Sequence, residues 1–541
     1  MRDLAAEAWR WQAAAGCLTG AAMDCGQRFQ RFLDNRRQTI LIVSLFLIIV
    51  GARAVVINYA GNATPYADEW DGEAAGLLKP YLQGALTFRD LFHAHNEHVI
   101  FFTRLLTLAI FNLSGYWDVV LQMIANAILD AATVVAISYA LSRPLRGGWA
   151  IAAMSLTALV NAFPLSYDNI LLGFNTHFYL LLAFSFASLW FMADSRAWSP
   201  RWAAGALLGL ASFLCMASGA LTLAAVIGLH LMQTACGRRA GVQEWLGIAA
   251  LAAATAALVI LIPHVPDSDV YRAHSLWQFG AALFQLASWP APPNLGSLMA
   301  LPSVIFCLRT FADRPGLRDP RWFNVAAFAW VAAQFMAFAA GRALIPVETR
   351  YLDTLLIGLA VNMISLFWLA TLDPTAARRR AWWFAAVAAW LVIVAGSLVY
   401  PKHPLPGSMD LRRQTADVEE RNLRFYLTTG DASYLAGAPL IDIPYPEATR
   451  LRQLLDTSEI RAVLPPELLS RDATSNWVEA FKRTFLAQGY TWLGAGVLLL
   501  LLTLIARKAP AHAGPTAGGL PASGGPIEDF RKAGRAPPYD P

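Results

Sequence analysis

The chain has 541 residues, of which 57% are hydrophobic and only 15% charged, a balance too apolar for an ordinary soluble enzyme and suited to the bilayer as solvent. Its net charge of +5 is small and dispersed, which argues against a nucleic-acid partner. The cysteines, Cys17, Cys25, Cys215, Cys236 and Cys307, form no CxxC and fall in no segment expected outside the membrane, so a disulfide framework is not expected.

Residues 1–38 mix charge with Ala and Trp, contain no long apolar run and close near Arg36 and Arg37; they read as a cytoplasmic tail rather than a signal peptide. A helix needs roughly 20 mostly apolar residues to cross about 30 Å of hydrocarbon. That criterion predicts about twelve spans, at 39–58, 116–141, 148–164, 176–193, 202–217, 219–235, 245–262, 294–311, 323–340, 352–371, 382–400 and 487–506. Basic residues recur in alternate loops: Arg36 and Arg37, Arg143 and Arg146, Arg196 and Arg201, Arg238 and Arg239, Arg314, Arg318 and Arg321, Arg378 to Arg380, then Arg507 and Lys508. Short basic loops stay cytoplasmic, so both termini are expected inside.

Two long segments then fall outside. The first, 59–115, contains an apolar stretch at 101–113 that is too short to span and carries Arg104; an interfacial helix is expected there. The second, 401–485, reads as a small α/β-like unit, with helices near 414–427 and 446–456 and a β-like stretch, IRAVLPP, at 460–466. The last span lies within 486–507, and 508–541 is rich in Ala, Gly and Pro, as in a disordered cytoplasmic tail. The expected fold is an all-α polytopic membrane protein, its transmembrane domain at 39–400, with a small extracytoplasmic α/β-like segment near the C-terminus.

Unusual polar residues collect on the expected outer side. Asp68, Glu69 and Asp71 follow the first span; carboxylates this close repel one another, and one of them could act as a general base. A solvated turn leading into a helix N-terminus is the bland reading of the same residues. His93, His95, Asn96, Glu97 and His98 come next, with Arg104 six residues on. Three His and a Glu are donor types for a divalent metal, yet the spacing is not HExxH and no fourth ligand is evident. No metal ligands are therefore assigned and no cofactor is expected, a divalent metal being left open. Arg342 and the run Glu348-Thr349-Arg350-Tyr351 lie in a later outer loop, where two guanidiniums could hold a phosphate or simply pair with Glu348. Asn175 and His177, in GFNTHFYL, border the fourth expected span on the same side. Arg53, about 21 Å along the first span, faces either a partner or the outer interface, and Asn126 with Asp130 reads as a buried structural pair.

With these residues in view, the chain resembles the GT-C superfamily of membrane glycosyltransferases, which use polyprenyl-phosphate sugars. Asp68-Glu69 looks like the Asp-Glu of protein O-mannosyltransferases, and Arg350-Tyr351 like an Arg that binds the lipid phosphate; DEWDG, HNEH and GFNTHFYL resemble a group of bacterial membrane proteins regarded as GT-C-like. The resemblance implies an inverting transfer of a hexosyl or pentosyl unit from a polyprenyl-phosphate donor to a glycan, lipid or protein acceptor, on the periplasmic side of a bacterial inner membrane. It implies Asp68 as base, with Glu69, Asp71, His95 and His98 orienting the acceptor, and Arg350 helped by Arg342 at the phosphate. A polytopic transporter, or a polymerase or ligase of lipid-linked oligosaccharides, is the alternative.

Overall fold

Runs of Leu, Ile, Val, Ala and Phe without charge fold as helices because each segment then satisfies its own backbone hydrogen bonds, as an apolar solvent demands. The computed structural model describes residues 36–372, 377–399, 406–469 and 476–505. The expected tails at 1–38 and 508–541 lie outside the described residues, apart from 36–38. The principal helices are α1 (Arg36–Ala60), α2 (Phe101–Ser114), α3 (Val119–Ser142), α4 (Gly148–Ala162), α5 (Thr176–Met192), α6 (Pro200–Phe213), α7 (Ala220–Ala235), α8 (Val242–Ile260) and α9 (Leu276–Ser288). They continue with α10 (Gly296–Asp313), α11 (Arg321–Gly341), α12 (Leu352–Ala370), α13 (Ala377–Val399), α14 (Pro406–Thr429), α15 (Ala448–Leu455), α16 (Ser458–Val463), α17 (Asn476–Ala487) and α18 (Gly489–Ile505).

Among the described residues nine helices are long and apolar enough to cross a membrane, and ten if the pair Trp477–Ala487 and Gly489–Ile505, bent by 49°, counts as one span. The chain is thus a multi-span α-helical membrane protein, with nine to ten helices that meet the length and composition criterion among the described residues against the twelve spans expected. Segments 148–164 and 202–217 are helices of only 15 and 14 residues, about 21–23 Å at 1.5 Å per residue. Helix α6 stops short because its end docks on protein: the Leu214 carbonyl accepts from the Phe101 N–H at 3.0 Å. Helix α9 was not expected at all, and 101–113 is helical as α2.

The 401–485 segment is corrected too. Its described residues are helical or in turns, and the β-like stretch is largely α16. Ile460, Val463 and Leu464 are spaced to bury one helical face, and they pack in a core with Trp70, Trp117, Leu423 and Leu451. The described residues hold one pair of strands, in the first long loop: β1 (Ala94–His95) and β2 (His98–Val99), antiparallel, with His95 opposite His98.

The loops sort to two ends. At one, the Arg196 guanidinium donates to the Arg238 carbonyl and Arg239 pairs with Glu244 at 2.8 Å, while Arg143, Arg146 and Arg321 line one cavity with Asp313 and Asp319. These are the loops that carry the alternating basic residues. At the other end Ala273 N–H donates to the Ala340 carbonyl, Ala67 N–H to Pro444 and Trp117 N–H to Val463.

First and last helices touch backbone to backbone. A Cβ added at Gly51 would come within 2.5 Å of the Leu493 nitrogen and 2.8 Å of the Gly489 carbonyl, the small-residue contact that lets membrane helices approach closely. Gly51→Leu is expected to lower stability by about 1–3 kcal/mol, read from thermal denaturation in detergent micelles, whereas unchanged stability would mean that α1 and α18 do not pack there.

Candidate active site

The acidic motif is shaped by two local features. Ala67 adopts a left-handed φ of 49°, costly for a residue with a Cβ, and is held by its hydrogen bond to Pro444. Directly afterwards Trp70–Leu78 forms a π-helix, a rare geometry that often marks functional sites. Gly72 is required here, since a Cβ would sit 2.6 Å from the Phe174 ring. That contact joins the acidic loop to the GFNTHFYL segment.

These turns send the three carboxylates in different directions. Asp68 lines a polar cavity of about 220 Å³. Glu69 is buried, accepting from the backbone N–H of Tyr66 at 2.7 Å and of Phe174 at 3.2 Å. Asp71 faces the C-terminal segment, where it accepts from Arg450 at 2.8 Å and from the Tyr445 hydroxyl. Of the three, Asp68 alone reaches the cavity. The same π-helix buries Glu73, which the sequence reading missed; it accepts from Thr107 at 2.5 Å, Trp117 at 2.7 Å and Gln122 at 2.8 Å.

The HNEH motif is the β1–β2 hairpin. Asn96 takes a left-handed φ of 53° at its turn, a conformation Asn tolerates. Residues directly opposite across a strand pair share a face, so His95 and His98 stand together. His95 Nε2 lies 3.7 Å from Asp68 Oδ1, outside ordinary hydrogen-bond length yet close enough to act on its charge. The His98 and His177 rings stand 6.3 Å apart, and His177 Nδ1 lies 3.1 Å from the Phe174 carbonyl.

The cavity gathers Asp68, His95, Asn96, Glu97, His98, Asn175, His177, Arg342, Glu348, Arg350 and Tyr351, residues drawn from four separate stretches of sequence. Arg104 is not among them: its guanidinium donates to the carbonyls of Leu91 at 2.9 Å and His93 at 2.5 Å, bracing the loop before the hairpin. Nor do the histidines converge as metal ligands. His93 is exposed beside Asp90, and among the described residues no group of three or more His, Cys, Asp or Glu is arranged to hold a metal ion.

Arg350 is positioned from behind. Asn169 donates to the Arg350 carbonyl at 2.8 Å and to Asp353 Oδ2 at 2.7 Å, while Thr349 donates to Asp168. In front, Arg350 Nε lies 3.4 Å from Glu348. Arg342 donates to Glu97 at 3.1 Å and sits over the Tyr271 ring. Arg272, also missed by the sequence reading, comes within 4.0 Å of the same Glu97. An Arg in a loop expected outside the membrane was the available signal.

Electrostatics separates the adjacent carboxyls. His95 first, then the nearby charges of Arg350 and His177, hold Asp68 below the usual carboxylate range against the opposing effect of burial. Burial, reinforced by Glu73, pushes Glu69 well above it. Burial pushes His98 down to about 4, so this ring is neutral at neutral pH. Groups driven apart in this way can divide acid and base roles.

The polar cavity adjoins an apolar groove of about 470 Å³ lined by Leu221, Val259, Ile262, Ala337 and Phe338, and Glu97, His98, Met216, Arg342 and Tyr351 border both. No protein-family model matches the chain, and no curated protein or solved structure matches it either.

Proposed function

We propose that the chain is a membrane glycosyltransferase of GT-C type, moving a sugar from a polyprenyl-phosphate donor to a cell-envelope glycan, lipid or protein. One observation carries this reading. A carboxylate kept ionised, Asp68, and a guanidinium, Arg350, line one polar cavity that adjoins an apolar groove. A lipid-linked sugar has the matching parts: an apolar tail, an anionic phosphate and a polar ring. The alternation of basic loops supports a periplasmic position for this cavity, both chain ends being cytoplasmic.

In the proposed step an acceptor hydroxyl oxygen attacks the anomeric carbon as the bond from that carbon to the phosphate oxygen breaks, inverting the centre. The hydroxyl proton passes to Asp68. The departing polyprenyl phosphate takes the electron pair, and Arg350 and Arg342 stabilise its growing charge. His95, Asn96, His98, Asn175 and His177 line the space between and supply hydrogen bonds to the sugar hydroxyls. Asp71 and Arg104 serve the architecture around the site, and Glu69 supports the loop from inside.

The test is sugar transfer by the purified protein from a polyprenyl-phosphate sugar to a membrane-glycan acceptor pool. Arg350→Ala is expected to reduce kcat/KM by about 10²–10³-fold, as loss of a donor to developing charge does. Transfer that is indifferent to both Arg350→Ala and Asp68→Asn would overturn the site. Solute transport in liposomes with no transfer would overturn the enzyme reading.

A further inference from the structure

Between the polar cavity and the apolar groove, a single carboxylate is shared by two guanidiniums. Glu97, at the tip of the β1–β2 hairpin, lies 3.1 Å from Arg342 through Oε2 and 4.0 Å from Arg272 through Oε1. Asp269 completes the charge balance, 3.1 Å from Arg272, and the Tyr271 ring supports Arg342. Glu97, Arg272 and Arg342 border the apolar groove, and Glu97 and Arg342 border the polar cavity as well.

This arrangement sets two guanidiniums beside one carboxylate. Two guanidinium forks facing one carboxylate can present the same donors to a phosphate. The ion group is partly open, with side-chain exposures of 17% for Glu97, 23% for Arg342 and 38% for Arg272, so exchange does not require a fully buried charge to be uncovered. The hairpin carrying Glu97 has only two residues in each strand, and a two-stranded ribbon contributes little stability of its own.

We infer that Arg272 and Arg342 form the phosphate clamp for a lipid-linked donor, and that Glu97 is its resident counter-ion, displaced when donor enters and returning when product leaves. The inference rests on the lipid-phosphate reading above and adds Arg272 and Glu97 to it. The charges explain why a carboxylate suits the task. A sugar attached through a phosphodiester carries one negative charge, as Glu97 does, so the exchange leaves the clamp's balance with Asp269 unchanged. After transfer the lipid keeps a phosphate monoester with a second charge, which grips the guanidiniums harder. A competing carboxylate at the hairpin tip then helps to empty the clamp.

The experiment is equilibrium binding of tritiated farnesyl phosphate to the full-length protein in detergent micelles, with farnesol and inorganic phosphate as competitors. Glu97→Gln is expected to tighten binding about tenfold, and Arg272→Gln to weaken it about tenfold, each the equivalent of one charge-assisted contact. Turnover gives a second readout: Glu97→Gln should lower KM and kcat together, because product release slows. Arg272→Lys, which keeps the charge but not the fork, replaces Arg272→Gln if the latter does not elute as a monodisperse peak.

Tighter binding in Glu97→Gln with weaker binding at position 272 supports the clamp. Wild-type binding of farnesyl phosphate that neither substitution changes, or weaker binding in Glu97→Gln, overturns the clamp and leaves the donor reading standing. Competition by inorganic phosphate as effective as that by unlabelled farnesyl phosphate overturns the lipid source. Farnesyl phosphate that binds no better than farnesol overturns the clamp and the donor reading together.

Discussion

Asp68→Asn is expected to lower kcat for sugar transfer by about 10²–10⁴-fold, the usual contribution of a positioned general base, with little change in thermal stability. The side chain is 45% exposed and His95 Nε2 stands 3.7 Å away, so the amide removes the carboxylate charge without breaking a buried contact. Asp71→Asn is the control, because Asp71 is held by Arg450 and Tyr445 away from the cavity. An Asp71 variant as inactive as the Asp68 variant would reverse the assignment. The pH profile adds a sign. Asp68 is held below the usual carboxylate range, so the base stays ionised and active down to low pH, and rate is lost only as pH falls through its lowered pKa. His95 is the first cause of that lowering. His95→Ala must therefore move the acid limb of kcat/KM upward, toward the ordinary carboxylate range. A limb that stays in place or moves down would mean that another group is titrating.

Much of the site was legible because its residues border span ends on one side. Lys and Arg bookkeeping placed 59–115, GFNTHFYL and the Arg350 loop on a common face, and eleven of the fourteen candidate side chains line one cavity. The three that do not, Glu69, Asp71 and Arg104, differ by direction alone. Direction here depends on the left-handed turn at Ala67 and on the π-helix that follows, neither of which has a periodic signature in a linear sequence. Arg272 escaped notice because it sits between expected spans with no motif around it. The difference in span number has another origin. Apolar residues continue past the ends of α4 and α6, but Leu165, Cys215 and Met216 are buried among other helices, and hydropathy cannot distinguish protein from lipid as the apolar surrounding. In α16, Ile, Val and Leu suit a strand or a helix equally, and packing against the Trp70 and Trp117 core decided between them.

The largest stability effect is expected at the ion pair inside the helix bundle. Arg53 was expected to meet a partner or to reach for the outer interface; it meets a partner, donating through Nε to Asp130 Oδ2 at 2.9 Å, and its terminal nitrogen is also 2.9 Å from that oxygen. The two side chains are 1% and 2% exposed. Asn126, read as the partner of Asp130, donates to the Gly173 carbonyl at 2.8 Å, one of several contacts that hold GFNTHFYL against α3. Removing one member of a buried pair strands the other charge, which costs about 3–5 kcal/mol, whereas replacing both with apolar groups is often neutral or stabilising. Arg53→Leu and Asp130→Leu are therefore each expected to be strongly destabilised in detergent, and the double variant to recover most of the loss. The asymmetry follows from desolvation: the pair forfeits its hydration whether or not it is well matched, so its attraction mainly offsets that penalty. Here the pair fixes α1 against α3, and α1 leads directly into the loop that carries Asp68. Mild single variants would mean that water reaches the pair, and a double variant no better than either single would mean that the helices depend on the ions themselves for their register.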